Sequence, residues 1–236
     1  MALILGIETA TGVCSVALVK DNNLLALRES SGTREHSAML TGYINEVMTE
    51  AGNSFGELDA VAASIGPGSY TGLRIGVSSA KGLCYALDKP IITIDTLKSL
   101  AWQAKQFCFS TRLDTENALF IPMLDARRME VYTAVYDQEL NMVEPVDALV
   151  ITNSAFDSLS QRPVYYFGEG AAKCTELFSS KSNFSFLSDI NLSAKAVVML
   201  AQQDFDAGNF ASLAYCEPFY LKDFVAGKPR VKGLYE

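Results

Sequence analysis

Histidine is nearly missing from this sequence: His36 is the only one among 236 residues. That excludes a zinc or iron centre built mainly from imidazoles, and with it any HExxH or HxxxH helix. A serine–histidine or cysteine–histidine catalytic centre would have to run through His36. That residue stands beside Arg34, Glu35 and Ser37 at a helix start, a context suited to capping or surface hydrogen bonding. Cysteine is sparse as well: Cys14, Cys84, Cys108, Cys174 and Cys216 are scattered singly, without a CxxC pair. Neither a zinc ribbon nor a disulfide framework is expected from them. No apolar run approaches the roughly 18 residues of a membrane span, and the opening MALILGIETA lacks a basic leader and is broken by Glu8. A cytoplasmic protein without membrane association is expected. Cations are outnumbered, with 19 Lys and Arg against 27 Asp and Glu and a net charge of −8. Such a surface repels phosphate backbones and disfavours autonomous nucleic-acid binding. The basic stretch GKPRVKG at 227–233 runs against this trend and reads as a solvated terminus.

What is present is an apolar, foldable chain. Hydrophobic residues make up 49% and the mean hydropathy is +0.15, enough for one large domain or two lobes with a substantial core. ALILGIET (2–9), CSVALVKD (14–21) and LLALRES (24–30) are β-prone and joined by short turns, ATG and DNN, which predicts an antiparallel meander. In the next segment Leu40, Ile44, Val47, Met48 and Ala51 mark one face of a helix that Gly52 stops. A buried strand at 58–66, a helix over TGLRIGVSSAKGLCYAL, a strand at 90–96 and a helix over TLKSLAWQAKQF follow.

The order then recurs. Strands are predicted at 117–125, 130–137 and 142–150, a helix near 152–160, a strand at 163–168 and a helix at 171–180. A last helix, 193–208, has Ser193 as its cap. The fold class expected is α/β with two ribonuclease-H-like lobes, each β-β-β-α-β-α, of the actin, Hsp70 and sugar-kinase type. The first lobe would cover 1–106 and the second 107–236, with helix 193–208 packing back on the first. An antiparallel start argues against an ordinary doubly wound sheet, in which a helix separates consecutive strands.

The segment SIGPGSYTGLRIG (64–76) has four glycines before a helix, as phosphate cradles do. Neither established fingerprint fits. Leu73 and Arg74 follow Gly72 where a P-loop needs Lys and Ser/Thr, and Thr71 stands where a dinucleotide loop needs its third glycine. A different regularity holds: Gly68, Gly72, Gly76, Ala80 and Cys84 recur every fourth residue, giving a helix one stripe of very small side chains. Each interior glycine costs a helix about 0.5–1 kcal/mol relative to alanine, so a close contact must repay it. That contact is either the chain's own sheet or another subunit. In LDARRMEVY (124–132), Arg127 and Arg128 suit a phosphate or carboxylate clamp, or the exposed side of a turn.

ILGIETATGVCSVAL (4–18) resembles the first phosphate motif of the actin-like superfamily, with Glu8, Thr9, Thr11 and Gly12 at the corresponding places. They are the candidate nucleotide-binding residues; Glu8 stands where hydrolysing members carry Asp. LGIETAT, REHS, SIGPGSYTGLRIG, LDARRMEVY and PFYLKD together resemble the bacterial TsaB proteins, once called YeaZ, in order along essentially the whole chain. The resemblance implies a non-catalytic scaffold or activating subunit in tRNA threonylcarbamoyladenosine modification. It would dimerise with a TsaD-like transferase, support docking of a TsaE-like ATPase, and meet tRNA only through that complex. No cofactor of its own is expected, since no clear second phosphate motif follows, with ATP or ADP at a complex interface the one opening; the small-residue stripe, if exposed, would also make the isolated chain a homodimer. The family's partner surface uses the first two helices, which here would involve His36, Leu40, Tyr43, Gly68, Tyr70, Gly72, Leu73, Gly76 and Ala80. A transferase of the related TsaD type holds its metal with an HxxxH helix. Here Leu40 follows His36 by four residues, so that site cannot be rebuilt. Two other readings stand beside this one: an ATP-binding hydrolase or phosphotransferase of the actin-like type, and the older label of a glycoprotease-like peptidase.

Overall fold

The computed structural model describes residues 2–30, 36–159 and 161–222. Strand β1 (Leu3–Glu8) lies at the centre of a five-stranded sheet of order β3-β2-β1-β4-β5, formed with β2 (Cys14–Lys20), β3 (Asn23–Ser30), β4 (Ala60–Gly66) and β5 (Ile91–Asp95). The two short turns force β1, β2 and β3 antiparallel. Strands β4 and β5 run parallel to β1, and the crossovers this requires are helices α1 (His36–Glu50) and α2 (Tyr70–Leu87). Helix α3 (Thr96–Thr111) leads to the second sheet, whose order is β10-β9-β6-β7-β8. Its members are β6 (Leu119–Asp125), β7 (Glu130–Tyr136), β8 (Met142–Val150), β9 (Val164–Phe167) and β10 (Phe184–Leu187), with a single helical turn, α4 (Thr175–Phe178), between the last two. Read from the opposite edge, this is the order of the first sheet with each strand replaced by its counterpart. The repeated α/β plan expected from the sequence is therefore present, and the two lobes are of the ribonuclease-H-like kind.

Three elements differ from expectation. The helix predicted near 152–160 is only a 3-10 turn at Asp157–Leu159. Asn153, Ser154, Asp157 and Ser158 bond the backbone locally as readily as they join a helix. The helix predicted at 171–180 is a 3-10 turn, Ala172–Cys174, followed by α4. Strand β10 has four residues, too few to show a period in the sequence, and pairs with β9 through Phe184↔Val164 to Leu187↔Phe167. The expected division at 106/107 cuts through α3, which continues to Thr111.

The strand period of two sorts the core into layers. On β1, Leu3, Leu5 and Ile7 join α1 and α2 on the outer face of the first sheet, while Ile4 turns to the inner face. There it meets α3 and α5 (Ala194–Asp206), which lie between the two sheets together with Phe120, Tyr136 and Phe167 of the second. Gly6 makes room for α5, because a Cβ there would overlap Val198. The Ser15 hydroxyl accepts the Ala194 N–H at 2.9 Å, fastening the helix start to β2. A polar link also joins the lobes. Asp95 caps α3 by accepting the Lys98 N–H at 2.8 Å, and the same oxygen accepts the Tyr136 hydroxyl from β7 at 3.1 Å.

Candidate functional site

Parallel strands end where their helices begin, so the C-terminal ends of β1, β4 and β6 open towards one another across the lobes. Between them lies a cavity of about 780 Å³. On the first lobe its wall is the turn Ala10–Gly12, the loop Pro67–Gly72 and His36. On the second lobe it is Leu124–Arg127, Tyr132 and Glu169, and Phe219–Lys222 close one side. Ser69 caps α2 by accepting the Gly72 N–H at 3.3 Å, which places the positive end of an 18-residue helix at this wall.

The candidate nucleotide residues divide. Thr11 and Gly12 line the cavity, but Glu8 and Thr9 do not. Thr9 is buried and its hydroxyl donates to the Gly72 carbonyl at 2.8 Å. Glu8 is fully buried; its Oε1 accepts from the Ala10 N–H at 2.7 Å and from the Ser64 hydroxyl at 2.8 Å. Burial pushes its carboxyl up to about 7 despite those bonds. Glu8 and Thr9 thus tie β1 to β4 and α2, work that their sequence position alone does not disclose.

The glycine stripe also proves internal. A Cβ on Gly68 would overlap the Ala10 carbonyl, one on Gly72 the Thr9 carbonyl, and one on Gly76 the Thr9 hydroxyl. Ala80 continues the buried line into the core beside Cys84. The close contact that these residues permit is therefore between α2 and the end of β1, in the same chain. The expectation that the stripe itself meets another subunit is corrected by this packing. Leu40 and Leu73 are likewise buried in the core. His36 is buried at the cavity wall and its Nε2 donates to the Val13 carbonyl at 3.1 Å. Of the residues expected at a partner surface, Tyr43, Gly68 and Tyr70 keep partial exposure.

On the opposite wall, Arg127 and Arg128 occupy the turn between β6 and β7, both with positive φ (75° and 48°) and both exposed. Of the two, Arg127 reaches the cavity. Asp125 is engaged by Lys173, whose ammonium also donates to the Glu130 carbonyl at 2.7 Å. Glu169 stands exposed at the cavity, its carboxyl raised chiefly by partial desolvation, with a backbone hydrogen bond at Asp125 opposing the shift and the Asp125 charge adding to it. The wall mixes both signs of charge, and among the described residues no three His, Cys, Asp or Glu side chains gather where they could hold a metal ion. Arg34, Glu35 and the basic stretch 227–233 lie outside the described residues. Among the described residues, no helix is long and apolar enough to cross a membrane.

Two ribonuclease-H-like lobes around a cleft define the actin-like structural class. Comparison with known proteins narrows it. The family model described as TsaD, tRNA N6-adenosine threonylcarbamoyltransferase, matches residues 28–216. The tRNA threonylcarbamoyladenosine biosynthesis protein TsaB of Escherichia coli K12 is 30% identical over 231 residues, covering 95% of this chain and 96% of that protein. Its namesake from Haemophilus influenzae is 29% identical, with 95% of each chain covered. Among solved structures, YeaZ from Pseudomonas aeruginosa superposes with a TM-score of 0.79 at 23% identity, over 94% of this chain and all of that one. The chain belongs to the TsaB family, within the wider group that the TsaD model describes.

Proposed function

We propose that this chain is a non-catalytic subunit in the formation of threonylcarbamoyladenosine in tRNA, pairing with a TsaD-like transferase through the outward faces of α1 and α2. What carries the reading is kinship over 95% of the chain with proteins named for this pathway together with a single histidine, which cannot supply an imidazole-built metal site. The internal use of the Gly72–Gly76 line supports a docking surface on the other side of α2. There Ser78, Gly82 and Ala86 are exposed, and α1 beside it presents Ala38, Thr41, Gly42 and Asn45. A Cβ on Gly42 or Gly82 would meet nothing, so these two helix glycines serve no packing need within the described fold. A thin outward face lets another helix approach closely. Such a surface suits the transferase in the complex and a second copy of the chain in isolation, and the pair would offer a TsaE-like ATPase its seat.

The test is reconstitution: the chain alone, the transferase alone, and both together, with complex formation and tRNA modification measured in the same samples. Modification requiring both proteins is the expected result. Modification by this chain alone, or no effect on its partner, would overturn the proposal. The cavity with Thr11, Gly12 and the α2 N-terminus favours a second reading, a site for ATP. Titration calorimetry with ATP and magnesium decides it, with absence of heat at millimolar nucleotide counting against it.

A further inference from the structure

The last described segment, Cys216–Lys222, has no regular secondary structure, yet it is held at successive points along its length. At its start the Lys81 ammonium of α2 donates to the Cys216 carbonyl at 2.7 Å and to the Ala214 carbonyl at 3.4 Å. In its middle the Phe219 N–H donates to the Ile65 carbonyl at 2.7 Å, just before the loop that opens α2. Gly66, with φ of 126°, accommodates this approach, since a Cβ there would overlap the Phe219 carbonyl. The Tyr220 ring lies against Tyr70, centroids 4.7 Å apart, and the Arg74 guanidinium sits 4.6 Å from the centre of that Tyr70 ring.

All of these anchors belong to the first lobe. The final one does not: the Lys222 ammonium pairs with the Glu130 carboxylate of β7 and stands 5.7 Å from the centre of the Tyr132 ring. Between the anchors, Phe219, Tyr220, Leu221 and Lys222 form one side of the 780 Å³ cavity. We infer that Cys216–Lys222 is an interlobe strap, seated on α2 and β4 at one end and on β7 at the other, and that its release widens the cleft. The design is one of several small holds in place of a single strong one. An exposed ion pair, a cation over a ring, a tyrosine pair and each hydrogen bond to a carbonyl are individually modest. The strap can therefore open while both lobes stay folded, as locally unfolding segments do. Anything entering the cavity from that side has to displace it or bind against it.

The prediction that separates a strap from a passive tail is action across the cleft. Replacing Glu130 on the second lobe should loosen the seat of Phe219 on the first. In the full chain, exchange of the Phe219 amide hydrogen is expected to be slow. Glu130→Lys should speed it roughly fivefold, the loss of one modest anchor, and Glu130→Lys combined with Lys222→Glu should restore it. Lys222→Ala serves as the milder variant if Glu130→Lys does not fold. Spin labels at Thr71→Cys and Arg127→Cys, on opposite walls and in a Cys216→Ser background, report the width of the cleft by pulsed electron resonance. The distance distribution should broaden towards longer values with each loosening variant and recover in the swap. The inference is overturned if the Phe219 amide already exchanges at the rate of an unstructured chain. It is equally overturned if Lys222→Ala and Glu130→Lys leave both exchange and distance unchanged, or if exchange rises while the cleft keeps its width.

Discussion

At the scale of single residues, Glu8 has the clearest consequence. In the unfolded chain it titrates near its ordinary value of 4.5, whereas in the fold it holds its proton up to about 7. Between those values the folded state binds more protons than the unfolded state, so stability falls as pH rises, by at most about 1.4 kcal/mol per pH unit for this group. Above pH 7 the loss is complete. Asp95 is shifted in the same direction, chiefly by burial, and adds to the trend. Glu8→Gln keeps an oxygen for the Ala10 and Ser64 donors and removes the titration. Its gain over the parent at pH 8 is expected to reach up to about 3 kcal/mol, with a much smaller difference at pH 5. Urea midpoints at the two pH values check this; a variant whose gain is equal at both would place the slope elsewhere. A motif comparison can name Glu8 as interesting, but it carries no information on burial. The sequence showed an acid at the end of a strand; only the assembled sheet shows Ser64 beneath it and no path to solvent.

At the scale of elements, α2 has two faces of small residues, and one-dimensional spacing could not tell which touches what. Gly72, Gly76 and Ala80 lie four apart, and so do Ser78, Gly82 and Ala86. The first set meets Thr9 and the core, while the second is exposed and a Cβ on Gly82 would meet nothing within the described fold. Period and glycine cost were legible; the identity of the neighbour was not, because it depends on the register of α2 against β1. The two faces give opposed predictions. Gly76→Leu should destabilise the fold by about 1–3 kcal/mol or more, as overpacking does, whatever the partner. Gly82→Leu should leave the melting temperature within a degree or two and weaken the complex with the transferase at least tenfold. Thermal melts and a binding titration on both variants decide the matter, and a Gly82→Leu chain that binds normally would remove α2 from the docking surface. Long, strongly patterned elements such as α2, α3 and β1 were readable for the same reason that short ones were not. Four residues of β10 or α4 contain barely one turn or two alternations, so their form is decided by the sheet they join.

At the scale of the whole molecule, two lobes do not mean two folding units. The central apolar cluster draws residues from both sheets and from α3 and α5 between them. Tyr136 crosses from the second sheet to the cap of α3. A single cooperative transition in calorimetry is expected, with van't Hoff and calorimetric enthalpies in agreement. A fragment of residues 1–111, which contains every strand of the first sheet, should not fold alone and should bind a hydrophobic dye. Independent folding of that fragment would show that α5 is an accessory and not part of the core. The repeated strand plan was evident in the sequence because the meander and its turns are local. The sharing of a helix between lobes was only an expectation there, since nothing in 193–208 says which apolar surface it will cover.

The bond from Ala194 to Ser15 spans 179 positions of chain. A ribosome adding about 5–20 residues per second therefore needs on the order of ten seconds or more to deliver the helix that completes the first sheet. From the time β4 has been synthesised until then, the apolar side chains that α5 covers in the finished fold, Ile4, Ala17 and Ala62 among them, have no such helix to pack on and face water or a chaperone. The chain's vulnerable period is thus set by the order in which its parts emerge, and slowing translation late in the message would lengthen it.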